Sequence, residues 1–500
     1  MRQRSRQLAA ALVAVLAALA VCAAAGAVPR FGVADDGGKY ADDGGGNFFT
    51  VLHEAGLQAN RITVFWDPTD GTNGLAIRER DFLDRSMPVA ALRGVDVVLS
   101  VYPAQPKAFS VDFAARTRLF AQYLQIVAQT YPQVKTFIVG NEPNQPRFWQ
   151  PQFVRDGRGG HRAVAGARYE RVLAAAYDAL KAVNPSITVV GLGLSPRGND
   201  RPLALNNISR SPVRFIADMA VEYRRSGRKK PIMDALGFHP YPQGNADALV
   251  RGYGWPNAGL RNLDRIKQAI WDGFHGTGQP VFAETGKPGR KPLRFVLDEY
   301  GRQSVIISSV SKMYTGVENV KPVDEQTQAR MYAEVVRTVA CEPSVSDFFL
   351  FHLVDDSDLD RFQSGLLRAD WTKRPAFDAV RAAIAEGCRR PLHRWRHAET
   401  VIGAGATLAG PRVRLTAGEE AQVSARVFRA GTTRAAIARA LSGRPGGATH
   451  RLLLRAHSRA SLPLGTARLA PGTYVAATLF RAALNPARTK LVVTDSFRVE

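Results

Sequence analysis

The chain reads as an α/β protein, a (β/α)8 TIM barrel followed by a smaller immunoglobulin-like β-sandwich. Three observations predict this. Eight short apolar runs alternate with longer helix-like stretches between about residues 30 and 388. The runs are near-continuously apolar, as strands covered on both faces must be. Near Ala385 the helical periodicity stops, and short segments of alternating polarity take over. At 500 residues the chain is long enough for a large barrel and a second domain.

The amino terminus comes first. Arg2, Arg4 and Arg6 precede an apolar run over 8–21, and Ala25-Gly26-Ala27 supplies small residues for cleavage. This pattern predicts a secretory signal peptide over 1–27 and a secreted, extracellular product. No later segment is apolar for long enough to span a bilayer, so no membrane span is expected after signal removal. The barrel is expected over 28–390. Its strands fall at 30–33, 61–65, 95–101, 135–139, 187–192, 235–239, 293–297 and 348–353. Helical spacing marks 114–129, where Phe120, Tyr123, Leu124 and Val127 share a face, and also 167–183 and 326–340. A doubly wound open sheet is the rival fold, but no G-x-G-x-x-G follows the first strand.

The sandwich is expected over 391–500, with strands at 412–415, 421–428, 451–456, 474–480 and 491–499. Pro471-Gly472-Thr473 is a turn into one of them. This segment holds 17 Lys+Arg against five Asp+Glu, about half of the net charge of +23. Such an excess suits an anionic surface such as wall polymer, and equally an Arg-rich solvated face. No zinc pattern, basic helix or aromatic-basic motif is present, so no nucleic-acid partner is expected. Without Cys22 in the signal, Cys341 and Cys388 remain, flanking the last strand-helix unit. They predict either a disulfide or two buried thiols.

Two glutamates carry the chemistry. Glu142 follows the fourth strand and Glu299 the seventh, each at a carboxyl end, where α/β barrels place reactive groups. A carboxyl pair is what glycosidic cleavage requires: one protonated to donate to the leaving oxygen, one ionised to attack the anomeric carbon.

Gly140-Asn141-Glu142-Pro143-Asn144 in that position resembles the acid/base signature of the clan of retaining (β/α)8 glycoside hydrolases that includes the family 5 cellulases and the family 39 xylosidases. Asp298-Glu299-Tyr300-Gly301 is similar to the clan's nucleophile motif. Arg61, in Asn60-Arg61-Ile62, matches an Arg that keeps the nucleophile ionised. Gly237-Phe238-His239-Pro240-Tyr241 matches the His and Tyr beside it. The resemblance covers roughly residues 30–385 and is nearest to family 5. It implies Glu142 as acid/base and Glu299 as nucleophile. Arg61, Asn141, His239 and Tyr241 are implied around the substrate, with Asn141 on the sugar 2-hydroxyl. An oligo- or polysaccharide with β-linkages is the implied substrate, and the two carboxyls are expected about 5–5.5 Å apart. No metal and no organic cofactor is implied.

Trp66, at the end of the second strand, is placed in the binding set as a ring on which a sugar could stack, and Tyr102, Trp149 and Trp255 are further candidates. Glu284, in Val281-Phe-Ala-Glu-Thr-Gly286, carries a similar motif; Glu299 is preferred because a fuller apolar run precedes it. Asp36 is a candidate contact to a sugar hydroxyl. The eighth strand ends in Phe351-His352-Leu353 where the clan often has Trp, with Trp371 as a substitute, which leaves the sugar open. A family 39-like β-xylosidase is the runner-up. A non-catalytic glycan- or wall-binding protein is the reading from another class, and the intact glutamate pair argues against it.

Overall fold

A computed structural model describes residues 28–500 except 72, 283–290, 391, 393–394, 444–448 and 466–468. The signal segment 1–27 and Glu284 lie outside the described residues. Eight parallel strands close a barrel in chain order: β1 (Arg30–Ala34), β2 (Ala59–Trp66), β3 (Asp96–Pro103), β4 (Thr136–Val139), β5 (Thr188–Leu194), β6 (Ala235–Phe238), β7 (Arg294–Tyr300) and β8 (Val345–Phe351), with β8 pairing back onto β1. All eight coincide with apolar runs in the sequence.

Helices fill the crossovers. They are α1 (Gly46–Glu54), α2 (Arg80–Leu92), α3 (Phe113–Thr130), α4 (Ala165–Val183), α5 (Pro212–Ser226), α6 (Leu263–Phe274), α7 (Glu325–Ala340) and α8 (Pro375–Glu386). Pro212 and Pro375 open their helices in the first turn, where no backbone donor is needed. Asp324 caps α7 by accepting from Thr327 N at 2.8 Å.

Strand alternation divides the core in two. Ala34, Ala59, Val98, Ile138, Val190, Ala235, Val296 and Phe349, one from each strand, pack together as the barrel floor. Residues of opposite parity, such as Ile62, Val64, Leu99, Val101, Leu236 and Phe238, join the larger core shared with the helices. Cys341 ends α7 and Cys388 follows α8; they form a disulfide with Cα atoms 4.9 Å apart, which ties the last two barrel helices together. Among the described residues, no helix is long and apolar enough to cross a membrane.

Among the described residues the second domain has seven strands: β9 (Gly405–Ala409), β10 (Arg412–Thr416), β11 (Ala421–Arg429), β12 (His450–Leu454), β13 (Arg459–Pro463), β14 (Gly472–Ala482) and β15 (Thr489–Val499). They form antiparallel sheets of order β9-β10-β13 and β12-β11-β14-β15. This is an immunoglobulin-like sandwich whose fourth strand has joined the second sheet. Val413, Leu415, Val423, Leu454 and Phe480 lie between the sheets. The sequence reading missed β9, β13 and the helix α9 (Arg434–Ser442). Its signal was there: Thr433 caps α9 from Ala436 N, and Ile437 and Leu441, four apart, pack on Ala477 and Leu479.

The sandwich docks on the barrel through buried charge. Arg488 bridges Glu419 of its own domain at 2.7 Å and Asp272 of α6 at 2.8 Å, and Arg214 of α5 reaches Glu420 at 2.7 Å. Trp271 of α6 is stacked between His275 and His397, at centroid distances of 3.9 and 3.7 Å, which pins the connecting segment to the barrel.

Candidate active site

The carboxyl ends of β2, β4, β6 and β7 bring together five charged side chains. On β2, Arg61 shares parity with the floor residue Ala59 and so enters the barrel mouth, where it is buried. After β4 the chain turns sharply, with Gly140 at φ 93° and Glu142 at φ 37°. A left-handed conformation is costly for glutamate. It is held by hydrogen bonds from Glu142 N to Gly193 O (2.9 Å) and from Gln145 N to Glu142 O (2.8 Å). Asn144 staples the turn to the end of β5, donating to Ser195 O at 3.2 Å and accepting from Ser195 N at 3.0 Å.

On β7, Leu297 pairs with Phe348 and Tyr300 with Leu350, so Asp298 and Glu299 together oppose Phe349. This is a β-bulge, and it aims two consecutive carboxylates into the mouth. On β6, Gly237 approaches the backbone of Gly193 so closely that a Cβ there would sit 2.7 Å from its nitrogen. His239 and Tyr241 follow on the mouth side.

Arg61 Nη1 lies 3.0 Å from Glu299 Oε1, and Tyr241 donates its hydroxyl to Glu299 Oε2 at 3.0 Å. Arg61 Nη2 donates to Asn141 Oδ1 at 2.7 Å and Ser100 Oγ at 3.1 Å, and its Nε is 3.6 Å from Asp298. His239 Nδ1 is 3.0 Å from Glu142 Oε1 and 3.4 Å from Glu299 Oε2; its Nε2 is 3.2 Å from Asp298 Oδ2. Burial opposes charging of His239, but Glu299 and Asp298, with hydrogen bonds to Asp298 and Glu142, raise its pKa to about 10. The ring is therefore an imidazolium at neutral pH and donates from both nitrogens. Burial likewise opposes ionisation of Asp298, yet His239 and Arg61 hold it below the ordinary carboxylate value. Burial, then the Glu299 charge, pushes Tyr241 well above its usual range, so its hydroxyl stays a donor.

The structure thus gathers Glu142, Glu299, Arg61, Asn141, His239 and Tyr241 in one place. Trp66 is corrected. It is fully buried, donates Nε1–H to Gly74 O at 2.9 Å and packs on Phe109 and Phe120. The reason is parity: five residues beyond Arg61 on one strand, it must face the helices. Trp149 is also core, stacked on Phe109 at 4.8 Å. Trp371 packs edge-on to Phe48. Asp36 accepts from Thr63 N at 2.7 Å and lies 3.5 Å from the buried Lys39, so it braces the loop after β1.

Two features escaped the sequence reading. Asp298 precedes Glu299, and strict alternation would have pointed one of them outward. Phe362 was not singled out either; it lies 6.2 Å from Tyr241 and completes an aromatic wall with Phe351 and His352, the strand end the sequence pointed to, where His352 is stacked on Phe351 at 4.1 Å.

No family model and no curated protein matches the chain. Solved structures are similar in fold. The GH5_18 enzyme of Streptomyces cattleya is 18% identical, with 76% of this chain and 84% of that one covered and a TM-score of 0.45. An exo-β-1,4-mannosidase from an Opitutaceae bacterium is 13% identical, with 72% and 60% covered and a TM-score of 0.41. A β-glucuronidase of Bacteroides uniformis is 12% identical, with 94% of this chain but only 46% of that one covered and a TM-score of 0.40. The chain thus spans less than half the length of that β-glucuronidase. At such values the roles of residues rest on the site geometry itself.

Proposed function

We propose that the protein is a secreted retaining glycoside hydrolase that cleaves O-glycosidic bonds of a β-linked glycan by double displacement. One observation carries the reading: a single nitrogen, His239 Nδ1, sits 3.0 Å from Glu142 and 3.4 Å from Glu299. The nearest oxygens of the pair can be no farther apart than those two contacts laid end to end. That bound lies at the lower edge of the roughly 6.5–9.5 Å of an inverting pair, and two carboxyls sharing one donor favour the roughly 5–5.5 Å spacing of a retaining pair.

In this mechanism Glu299 attacks the anomeric carbon while Glu142 gives its proton to the departing glycosidic oxygen. Arg61 and Tyr241, one on each oxygen of Glu299, hold it aimed at the anomeric carbon. Asn141 has its Oδ1 taken by Arg61, which leaves its amide N–H groups for the sugar 2-hydroxyl. Glu142 then takes a proton from water, which attacks the glycosyl-enzyme ester and frees Glu299. Charge balance supports the order of events. With its proton on Glu142, the cluster sets Arg61 and the imidazolium against Asp298 and Glu299. Glycosylation removes the charge of Glu299 as proton donation creates one on Glu142, so the total is unchanged.

The three-stranded sheet of the sandwich exposes Arg412, Arg414 and Arg459, which supports a role in holding the enzyme on an anionic wall surface. The deciding test is hydrolysis of aryl β-glucoside, β-xyloside and β-mannoside and of soluble β-glucans, with the first-formed anomer read by proton NMR. The β-anomer is expected first. Appearance of the α-anomer first would overturn retention. No turnover by a folded protein would favour a glycan-binding role. Amino-terminal sequencing of exported protein should begin at Val28.

A further inference from the structure

A second concave site lies on the outer wall of the barrel, between the starts of α3 and α4 and the flank of α5. It encloses about 450 Å³. Its walls are Phe113, the first residue of α3; Arg162, on the small hairpin that pairs Phe153–Arg155 with His161–Ala163; Arg168 and Arg171 of α4; and Glu222 and Arg225 of α5. Four guanidinium groups therefore face one carboxylate. That carboxylate is already engaged, accepting from Arg171 Nε at 2.6 Å and from Arg225 Nη2 at 2.6 Å and Nε at 2.9 Å.

Arg168 is left facing the cavity with its guanidinium 5.7 Å from the centre of the Phe113 ring. Burial, then the charges of Arg162 and Arg171, hold its pKa below the ordinary arginine value. Glu170, buried behind Glu222, offers little relief, since burial and the Glu222 charge push it up to about 7. α4 also starts here on Val164, which has no side-chain cap, so the positive end of its dipole adds to the field. Uncompensated like charge of this kind costs free energy until an anion enters. Guanidinium forks receive carboxylates or sulfates on two parallel hydrogen bonds, and an aromatic face beside them suits the apolar face of a sugar ring. The volume falls in the range of ligand pockets.

We propose that this cleft is an accessory binding site for an acidic saccharide, one whose sugar rings carry carboxylate or sulfate groups. None of its side chains is among the hydrogen-bond or ion-pair partners of Glu142 or Glu299, which are Arg61, His239 and Tyr241, so turnover of a small aryl glycoside serves as a separate readout.

The test is calorimetric titration of the whole protein with tetragalacturonate, with neutral cellotetraose and with inorganic sulfate, at low and at 0.5 M salt as working conditions of about that strength. Tetragalacturonate should bind and cellotetraose should not compete with it. Arg162→Ala with Arg168→Ala should weaken binding about tenfold or more, with Arg168→Lys recovering part of the loss. Turnover of an aryl glycoside should stay at the wild-type level. Should the double variant misfold, the single Arg162→Ala change, at an exposed position, still reads the site. Absence of tetragalacturonate binding, or equal affinity in the arginine variants, would overturn the proposal. So would sulfate binding as tightly as the oligosaccharide, since that marks a site for small anions.

Discussion

On the β7 side of the barrel mouth, Glu299 has a donor on each oxygen, Arg61 and Tyr241, both at 3.0 Å. On the β4 side, among the described residues, Glu142 has one, His239 at 3.0 Å, and its backbone is held at φ 37°. A carboxylate fixed at both oxygens is held in one orientation. A carboxyl held at one oxygen keeps the other free to pass a proton. The two are close enough to share His239, yet their surroundings differ, and in the proposed mechanism that difference assigns attack to Glu299 and proton transfer to Glu142. The contrast lies in the partners, since both are glutamates at strand ends.

The comparison can be broken most decisively at Glu299. Glu299→Ala should reduce kcat by about 10⁵-fold or more while leaving the fold intact, and added azide should restore turnover as the inverted glycosyl azide. Full activity in this variant with loss in Glu284→Ala would move the nucleophile. Glu142→Ala should cost less, about 10²–10⁴-fold. Its deficit should shrink for substrates whose leaving phenol is acidic, because such a group needs no proton. Equal losses for good and poor leaving groups would remove Glu142 from the acid role.

Asp298→Asn tests what joins the two sides. The ordinary imidazole value is 6.5, and in the fold it is about 10. The stabilisation from His239 is therefore complete below about pH 6.5 and is lost as pH rises through about 10. Asp298, lowered from 3.8, contributes above that value and loses its contribution on acidification. The stability gap between wild type and Asp298→Asn should be widest between these limits and close towards pH 10. The alkaline limb of kcat/KM should move to lower pH in the variant. An unchanged pH profile would reduce Asp298 to packing. The smallest effect on turnover is expected at Trp66→Phe, which should lower stability by about 1–3 kcal/mol and leave kcat unchanged. A raised KM there would return Trp66 to the binding surface.

Much of the fold was legible because buried parallel strands have a simple signature. All eight apolar runs became barrel strands, and Glu142 and Glu299 fell at their carboxyl ends. The sandwich was read less completely. β9 and β13 are short and half-exposed, and α9 interrupts a pattern that otherwise alternates. Trp66 was misread although the sequence held the answer, since its spacing from Arg61 assigns them to opposite faces.

By itself the sequence determined which side chains were available and which strand ends would carry them, because hydrophobic periodicity and turn residues are local properties of the chain. Only the tertiary structure decided that Asp298 joins Glu299 inside the mouth, through a bulge opposite Phe349. It also decided that His239 bridges three carboxylates. Four arginines distributed over a hairpin and two helices likewise converge on one cleft. Register shifts and the meeting of charges distant along the chain are settled by packing between elements, and no local pattern encodes them.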